Sequence, residues 1–304
     1  MKNSFKLIKK KLFAKFIKFN ILGTFLFILF IASKILLNKK IKTYPKDEIT
    51  LVTALFRMKS KFTIYMYLSW VSNLLLLNRS IVFFVDKKIS RIIKKKRPKL
   101  YENKTVWIES SIKDFYVYKN YRKNFIESHK IDLEKSYHTI PLYMVWAEKC
   151  AFIKKAIYFN YFNSKCFYWI DAGFFREKNM EDKYINKWPS VRKCYEDPRV
   201  IINSIRELSY EEIKALKNFN TTILNNIIKK MNVAGGFFGG KSQYLIKFCD
   251  LYYNAIKIFI KHKIFIGKDQ NLFTYVSYLN PKIVKIVHSH KVQDWYYFKY
   301  YFFE

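Results

Sequence analysis

Two carboxylates and two glycine pairs stand where they could do chemistry. Phe167-Tyr168-Trp169-Ile170 is an apolar run that stops abruptly at Asp171, followed by Ala172-Gly173 and then Arg176. A buried strand that delivers an Asp at its C-terminal edge is how an open α/β sheet places a ligand-binding carboxylate. The plain alternative is that Asp171 caps a turn. Asp269 follows Gly267-Lys268 and opens a helical stretch. There it is either an ordinary N-cap or a general base within reach of a hydroxyl proton. Gly235-Gly236 and Gly239-Gly240 flank two phenylalanines and hold four of the chain's seven glycines. Their spacing fits neither the dinucleotide GxGxxG pattern nor a P-loop. It suits a strand edge where a ligand or backbone must come close.

The elements that would position these residues alternate in type. A strand is expected over Ile49–Leu55, with the small and polar residues at Thr53 marking the first βα turn. Residues 62–77 read as a helix, and Ile81–Val85 as a second buried strand ending on Asp86. A basic segment, Lys87 to Lys99, leads to a third strand at 104–108. Pro141 suits the first turn of a long helix over 141–160, which carries Lys149 and precedes the Asp171 strand. Residues 177–198 are polar and irregular, and helical pattern follows. Helices are expected at 242–260 and after Gly267. Strands alternating with helices argue an α/β fold with a mainly parallel sheet covered on both faces.

The 304 residues carry 57 Lys+Arg against 23 Asp+Glu, a net charge of +34, and 51% are apolar, which excludes a disordered chain. Such a charge attracts anions: a membrane surface, nucleic acid or phosphorylated substrates. Lys, Asn, Ile, Phe and Tyr are abundant together, so an AT-rich coding bias is the main source of the charge. Nucleic acid is not the expected partner, because no arginine-rich stripe or RNA-binding aromatic motif is present. No pair of Cys150, Cys166, Cys194 and Cys249 has CxxC spacing, so neither a zinc site nor a thioredoxin-like motif is indicated. Buried thiols and one or two disulfides stay open.

Seven lysines in residues 1–18 precede an apolar run, 19–37, whose only charge is Lys34. At ~1.5 Å per residue the run approaches the ~30 Å hydrocarbon thickness. It is expected to cross a membrane once, with residues 1–18 cytoplasmic, 38–48 as a stem and 49–304 as a body on the far side. The membrane would be that of the endoplasmic reticulum or Golgi in a eukaryote, or of the envelope in a bacterium. A cleaved signal peptide and an interfacial helix are the alternatives.

Four ordered blocks carry a resemblance. They are Thr50-Leu51-Val52-Thr53-Ala54-Leu55-Phe56, Trp169-Ile170-Asp171-Ala172-Gly173, Ala234-Gly235-Gly236-Phe237-Phe238-Gly239-Gly240, and Asp269-Gln270 with Phe273. In this order and spacing, from about Ile49 to Phe303, the chain resembles the HtrL/YibB family of glycosyltransferase-like proteins. The resemblance implies a GT-A-like fold, a Rossmann-type sheet that binds a nucleotide-sugar. It also implies transfer of a sugar to a glycan or other surface acceptor.

That reaction must hold the nucleotide, neutralise the departing diphosphate and align the acceptor hydroxyl. Thr53, Ala54 and Arg57 lie where the first βα loop should meet the donor, and Asp86 where base or ribose would be. Lys149 and Arg176 are candidates for the diphosphate. Asp171 stands at the position of a GT-A metal carboxylate, but Gly173 fills the second acidic place. Mn²⁺ or Mg²⁺ on Asp171, with His288 or His290 as a further ligand, is therefore one expectation, and metal-free transfer the other. Asp269 is the candidate base, Gln270 the candidate partner of a sugar hydroxyl, and Gly235 and Gly236 the candidate acceptor wall. Two other classes stand beside this reading: a non-catalytic sugar-binding relative, and a basic membrane-surface scaffold.

Overall fold

The structure, a computed structural model, describes residues 43–178, 180–289 and 294–303. The chain divides after Thr43, and residues 44–304 form one unit. Among the described residues no helix is long and apolar enough to cross a membrane. The 19–37 run assigned to a span lies outside the described residues. The single-pass placement with a cytoplasmic N-terminus is therefore withdrawn.

Among the described residues seven strands form one sheet in the order β3-β2-β1-β4-β6-β5-β7. They are β1 (Ile49–Leu55), β2 (Ser80–Val85), β3 (Thr105–Glu109), β4 (Cys166–Ile170), β5 (Val200–Ser204), β6 (Val233–Lys241) and β7 (Val284–His288). β1, β2, β3 and β4 are parallel, β5 pairs with β7 in parallel, and β6 runs antiparallel to both its neighbours. The chain is thus an α/β protein with a mostly parallel mixed sheet.

Helices cover both faces. In chain order they are α1 (Ile64–Leu76), α2 (Lys87–Ile93), α3 (Tyr116–Lys130), α4 (Ile140–Phe159), α5 (Asp182–Lys187), α6 (Val191–Glu196), α7 (Tyr210–Lys217), α8 (Thr221–Lys229), α9 (Ser242–Lys261), α10 (Asp269–Leu279) and α11 (Phe298–Tyr301). Period-two alternation along the strands separates two cores. Val52, Phe84, Trp169 and Phe238 join one core with α3, α4, α9 and α10. Leu51, Phe83, Tyr168 and Phe237 face the other, with α1, α2, Trp188, Phe298 and Phe302. Helix α4 is buried around much of its girth, from Leu142 through Lys149 and Cys150 to Ala156. Contact with both the sheet and other helices explains its weak amphipathic pattern.

Four findings depart from the sequence expectations. The first turn comes after Leu55, because Thr53 is fully buried inside β1. β5 lies just beyond the stretch read as irregular, where short helices α5 and α6 break the pattern. β7 was not expected either. The basic segment after Asp86 is helical, capped by Asp86, whose Oδ1 accepts from the Lys88 and Ile89 amides at 2.9 and 3.0 Å. Of the cysteines, Cys166 and Cys194 form a disulfide, while Cys150 and Cys249 are free and buried.

Candidate active site

Strand order reverses between β1 and β4. Open α/β sheets bind ligands at the carboxyl edge of such a switch point. Here that edge holds Asp171, one residue past β4. Because β6 is antiparallel, its N-terminal half reaches the same edge, and the Asp171 amide donates to the Gly236 carbonyl at 2.8 Å. Ile202 pairs with Phe238 but Asn203 pairs with Ala234, so residues 235–237 bulge away from β5. Bulges of this kind re-aim backbone beside functional sites.

Helix α4 sends Lys149 into this edge from one face of the sheet. Its ammonium donates to the Gly235 carbonyl at 2.9 Å and forms ion pairs with Asp171 Oδ1 at 3.0 Å and Asp269 Oδ2 at 2.8 Å. Three oxygens, two of them carboxylate, thus lie within 3.0 Å of the ammonium. It also lies 5.4 Å from the centre of the Trp169 ring. The Lys149 and Asp269 side chains are 3% and 5% exposed, whereas Asp171 is 40% exposed. Burial works to lower the Lys149 pKa, but the two carboxylates prevail and raise it, so it is a fixed cation. Burial raises the pKa of Asp269, against the opposing pull of Lys149.

Asp269 is the first residue of α10, and its Oδ1 accepts from the Gln270 amide at 2.9 Å. Trp169, two residues before Asp171 on the same face, donates its indole N–H to Asp171 Oδ1 at 2.7 Å. Asp171 Oδ2 is left facing the opening beside Gly236, where a β-carbon would stand 3.5 Å from it. At Gly235 a β-carbon would stand 3.0 Å from Asp269 Oδ2. The glycines let the strand come down onto the two acids.

A basic cleft of about 670 Å³ opens beside this cluster, after β1. Arg57, Lys59, Lys61 and Lys88 line it together with Phe62, and no carboxylate does. The Thr139 hydroxyl at the start of α4 donates to the Lys59 carbonyl at 3.1 Å, holding the loop. Arg176 joins the two regions. Its Nε donates to the Gly173 carbonyl at 3.0 Å, and its guanidinium lies over Trp70, Phe62 and Tyr296 at 4.4, 4.8 and 5.4 Å. Trp70 closes over Gly173 so tightly that a β-carbon there would be 2.9 Å from its ring.

The structure therefore brings Lys149, Asp171, Asp269, Gly235 and Gly236 together, with Gln270 adjacent and Arg57 and Arg176 at the mouth. Other assignments fare differently. Thr53 and Ala54 are buried in the strand, so neither side chain faces the opening. Asp86 spends Oδ1 on its helix cap and Oδ2 on the Arg57 amide, at 2.8 Å, so its evident work is to fix the loop. His288 ends β7, the third strand from β4, and faces Glu207 at 4.0 Å. His290 lies outside the described residues. Trp169, Trp70, Phe62 and the lysines of the cleft were missed. The i, i+2 spacing of Trp169 and Asp171 was the available signal for the first.

A second polar group lies near α3. Asp132, Glu134 and His138 bring ligand atoms within 4.8 Å of one another. Asp132 is engaged by His138 and Tyr143, and Glu134 by Lys268. These contacts satisfy the group internally.

A family model described as a bacterial protein of unknown function, HtrL_YibB, matches residues 47–302. The chain belongs to the HtrL/YibB family. The match spans every strand of the sheet and every residue of the Lys149 cluster, so the site is part of what the family model covers. No curated protein matches the chain.

Proposed function

We propose that this HtrL/YibB chain is a GT-A-like glycosyltransferase that moves a sugar from a nucleotide-sugar to a hydroxyl acceptor. The observation that carries the reading is the Lys149–Asp171–Asp269 cluster under the Gly235-Gly236 wall, at the switch-point edge and beside a cationic cleft. Phosphate oxygens suit Arg57, Lys59, Lys61 and Lys88. Sugar hydroxyls suit the exposed oxygen of Asp171 and the backbone of the glycine wall. In the transfer step the acceptor oxygen bonds to the anomeric carbon and the bond from that carbon to the diphosphate breaks. The diphosphate leaves with the electron pair, and the acceptor proton passes to a carboxylate. Asp171 is the better placed of the two to receive it, because Asp269 is buried and held by Lys149. Asp269 then acts through Lys149, as a positioning residue.

The same lock on Asp269 favours one second reading, a sugar-binding relative without turnover. Thermal unfolding of the protein with a panel of nucleotide-sugars tests both. A ligand at about 100 times its Kd adds about 2.7 kcal/mol. A selective rise in Tm, lost in Asp171→Ala, with release of nucleoside diphosphate supports transfer. The same rise without release supports binding alone. Absence of any rise in folded protein refutes both.

A further inference from the structure

A divalent ion at this edge would need carboxylate oxygens, and those oxygens can be counted. Asp269 Oδ2 accepts no hydrogen bond but is buried against the Lys149 ammonium at 2.8 Å, and Oδ1 accepts from the Gln270 amide. Asp171 Oδ1 accepts from the Trp169 indole and pairs with the Lys149 ammonium. Only Asp171 Oδ2 has neither a donor nor the ammonium against it. An ion there would face a fixed ammonium 3.0 Å from the sister oxygen. Mg²⁺ and Mn²⁺ prefer near-octahedral oxygen ligands and give up water reluctantly. Gly173, two residues on, supplies no second carboxylate, and Trp70 fills the space above it. His288, the other expected ligand, is turned to Glu207. The residues present do not fit a divalent ion.

They fit a different arrangement. Lys149 sits between the two carboxylates, as a bridging metal would, paired with both, hydrogen-bonded to the Gly235 carbonyl and only 3% exposed. Buried and already paired with two acids, it is not placed to neutralise a phosphate. Unopposed positive charge lies instead along the cleft, on Arg57, Lys59, Lys61 and Lys88. We propose that Lys149 is the resident counter-cation of this site, and that the site takes a nucleoside diphosphate without a divalent ion, its phosphate charge being met by the lysines of the cleft. The identity of the ligand rests on the transferase reading; the exclusion of the metal rests on the oxygen count alone.

Two titrations on the full chain test this. The first uses Mn²⁺ alone, followed by the spin-resonance signal of the free ion. Wild-type protein should show no saturable site, whereas saturable binding that disappears in Asp171→Asn would overturn the proposal. The second follows thermal unfolding with uridine, guanosine, adenosine and thymidine diphosphates, in EDTA and in Mn²⁺. The stabilising nucleotide should give the same shift in both, and a smaller one in Lys59→Ala, Lys61→Ala and Lys88→Ala and at higher salt. A shift seen only with Mn²⁺ overturns the proposal. If no nucleotide acts, the transferase reading fails, and the Mn²⁺ titration still decides the metal question. Lys149→Ala supplies a converse test, since two freed carboxylates flanking a vacated ammonium site should gain stabilisation by Mn²⁺. A folded Lys149→Ala indifferent to Mn²⁺ counts against the inference, and if that variant does not fold the wild-type titration stands by itself.

Discussion

Replacing Lys149 by Met keeps most of the side-chain volume and removes the charge that two carboxylates share. Asp171 is 40% exposed and can recover solvation from water; Asp269, at 5%, cannot. Removing one partner of a buried ion pair costs about 3–5 kcal/mol. With one of the two acids still hydrated, the expected loss for Lys149→Met lies near the lower end, about 3 kcal/mol. In a unit of this size that corresponds to a Tm fall of roughly 6–12 °C. The loss should depend on pH. Without Lys149, the folded-state pKa of Asp269 rises further above its unfolded value, so the folded state binds more protons and stability falls as pH rises. Thermal unfolding at about pH 8 and about pH 5 should therefore show the deficit shrinking toward the acid side. Lys149→Met with Asp269→Asn removes the stranded charge and should recover about 2 kcal/mol, a coupling that additive effects cannot give. A loss under about 1 kcal/mol in Lys149→Met, equal at both pH values, would refute the claim that this ammonium neutralises a buried acid.

Four other measurements follow from the structure. Gly235→Ala puts a β-carbon 3.0 Å from Asp269 Oδ2 and 3.4 Å from the Phe273 ring, and should lower unfolding free energy by about 1–3 kcal/mol. Gly236→Ala meets only ordinary contacts at 3.5 Å and beyond, so stability should stay within about 1 kcal/mol while ligand-induced stabilisation weakens. Glu148 caps the start of α3 through the Tyr116 and Val117 amides, and burial pushes its pKa up to about 7 from 4.5. The folded state then holds a proton that the unfolded state releases, so stability should fall by roughly 3 kcal/mol from pH 4.5 to 7, and Glu148→Gln should flatten that slope in a denaturant series. The Cys166–Cys194 disulfide spans 28 residues, so Cys194→Ser should cost about 3–4 kcal/mol, read as a shift in denaturation midpoint.

The parallel half of the sheet was legible because each of its strands is a short apolar run ended by a polar residue: Leu55 before the Arg57 loop, Val85 before Asp86, Ile170 before Asp171. Long helices α4, α9 and α10 were legible through Pro141 and the glycines before Lys241 and Lys268. β5 and β7 were not. Val200–Ser204 turns polar at Asn203 and Ser204 while still buried, and Val284–His288 is broken by Lys285, so neither is an unbroken apolar run. The charged residues of the site appeared in the sequence as isolated Asp, Lys and Gly positions. Their types suggested chemistry, but nothing in spacing tells that Lys149 would pair with both Asp171 and Asp269. That depends on α4 packing close to β4, a contact made through Phe152 and Trp169, whose rings stack at 6.2 Å.

The antiparallel strand is what makes the edge a site. In a wholly parallel sheet the neighbour of β4 would bring its own C-terminal end to the switch point, with side chains fanning toward the following helix. Here β6 enters from the opposite direction, so its first residues, not its last, lie beside Asp171. Those residues are Gly235 and Gly236, and the bulge against β5 releases them from full pairing while β4 still holds Gly236. The carbonyl of Gly235 is thereby free to accept from the Lys149 ammonium. A side chain at Gly235 would press on Asp269 and disturb the same ammonium. Strand direction, the glycine pair and the buried lysine thus depend on one another, and a substitution at any of the three should be read at the other two.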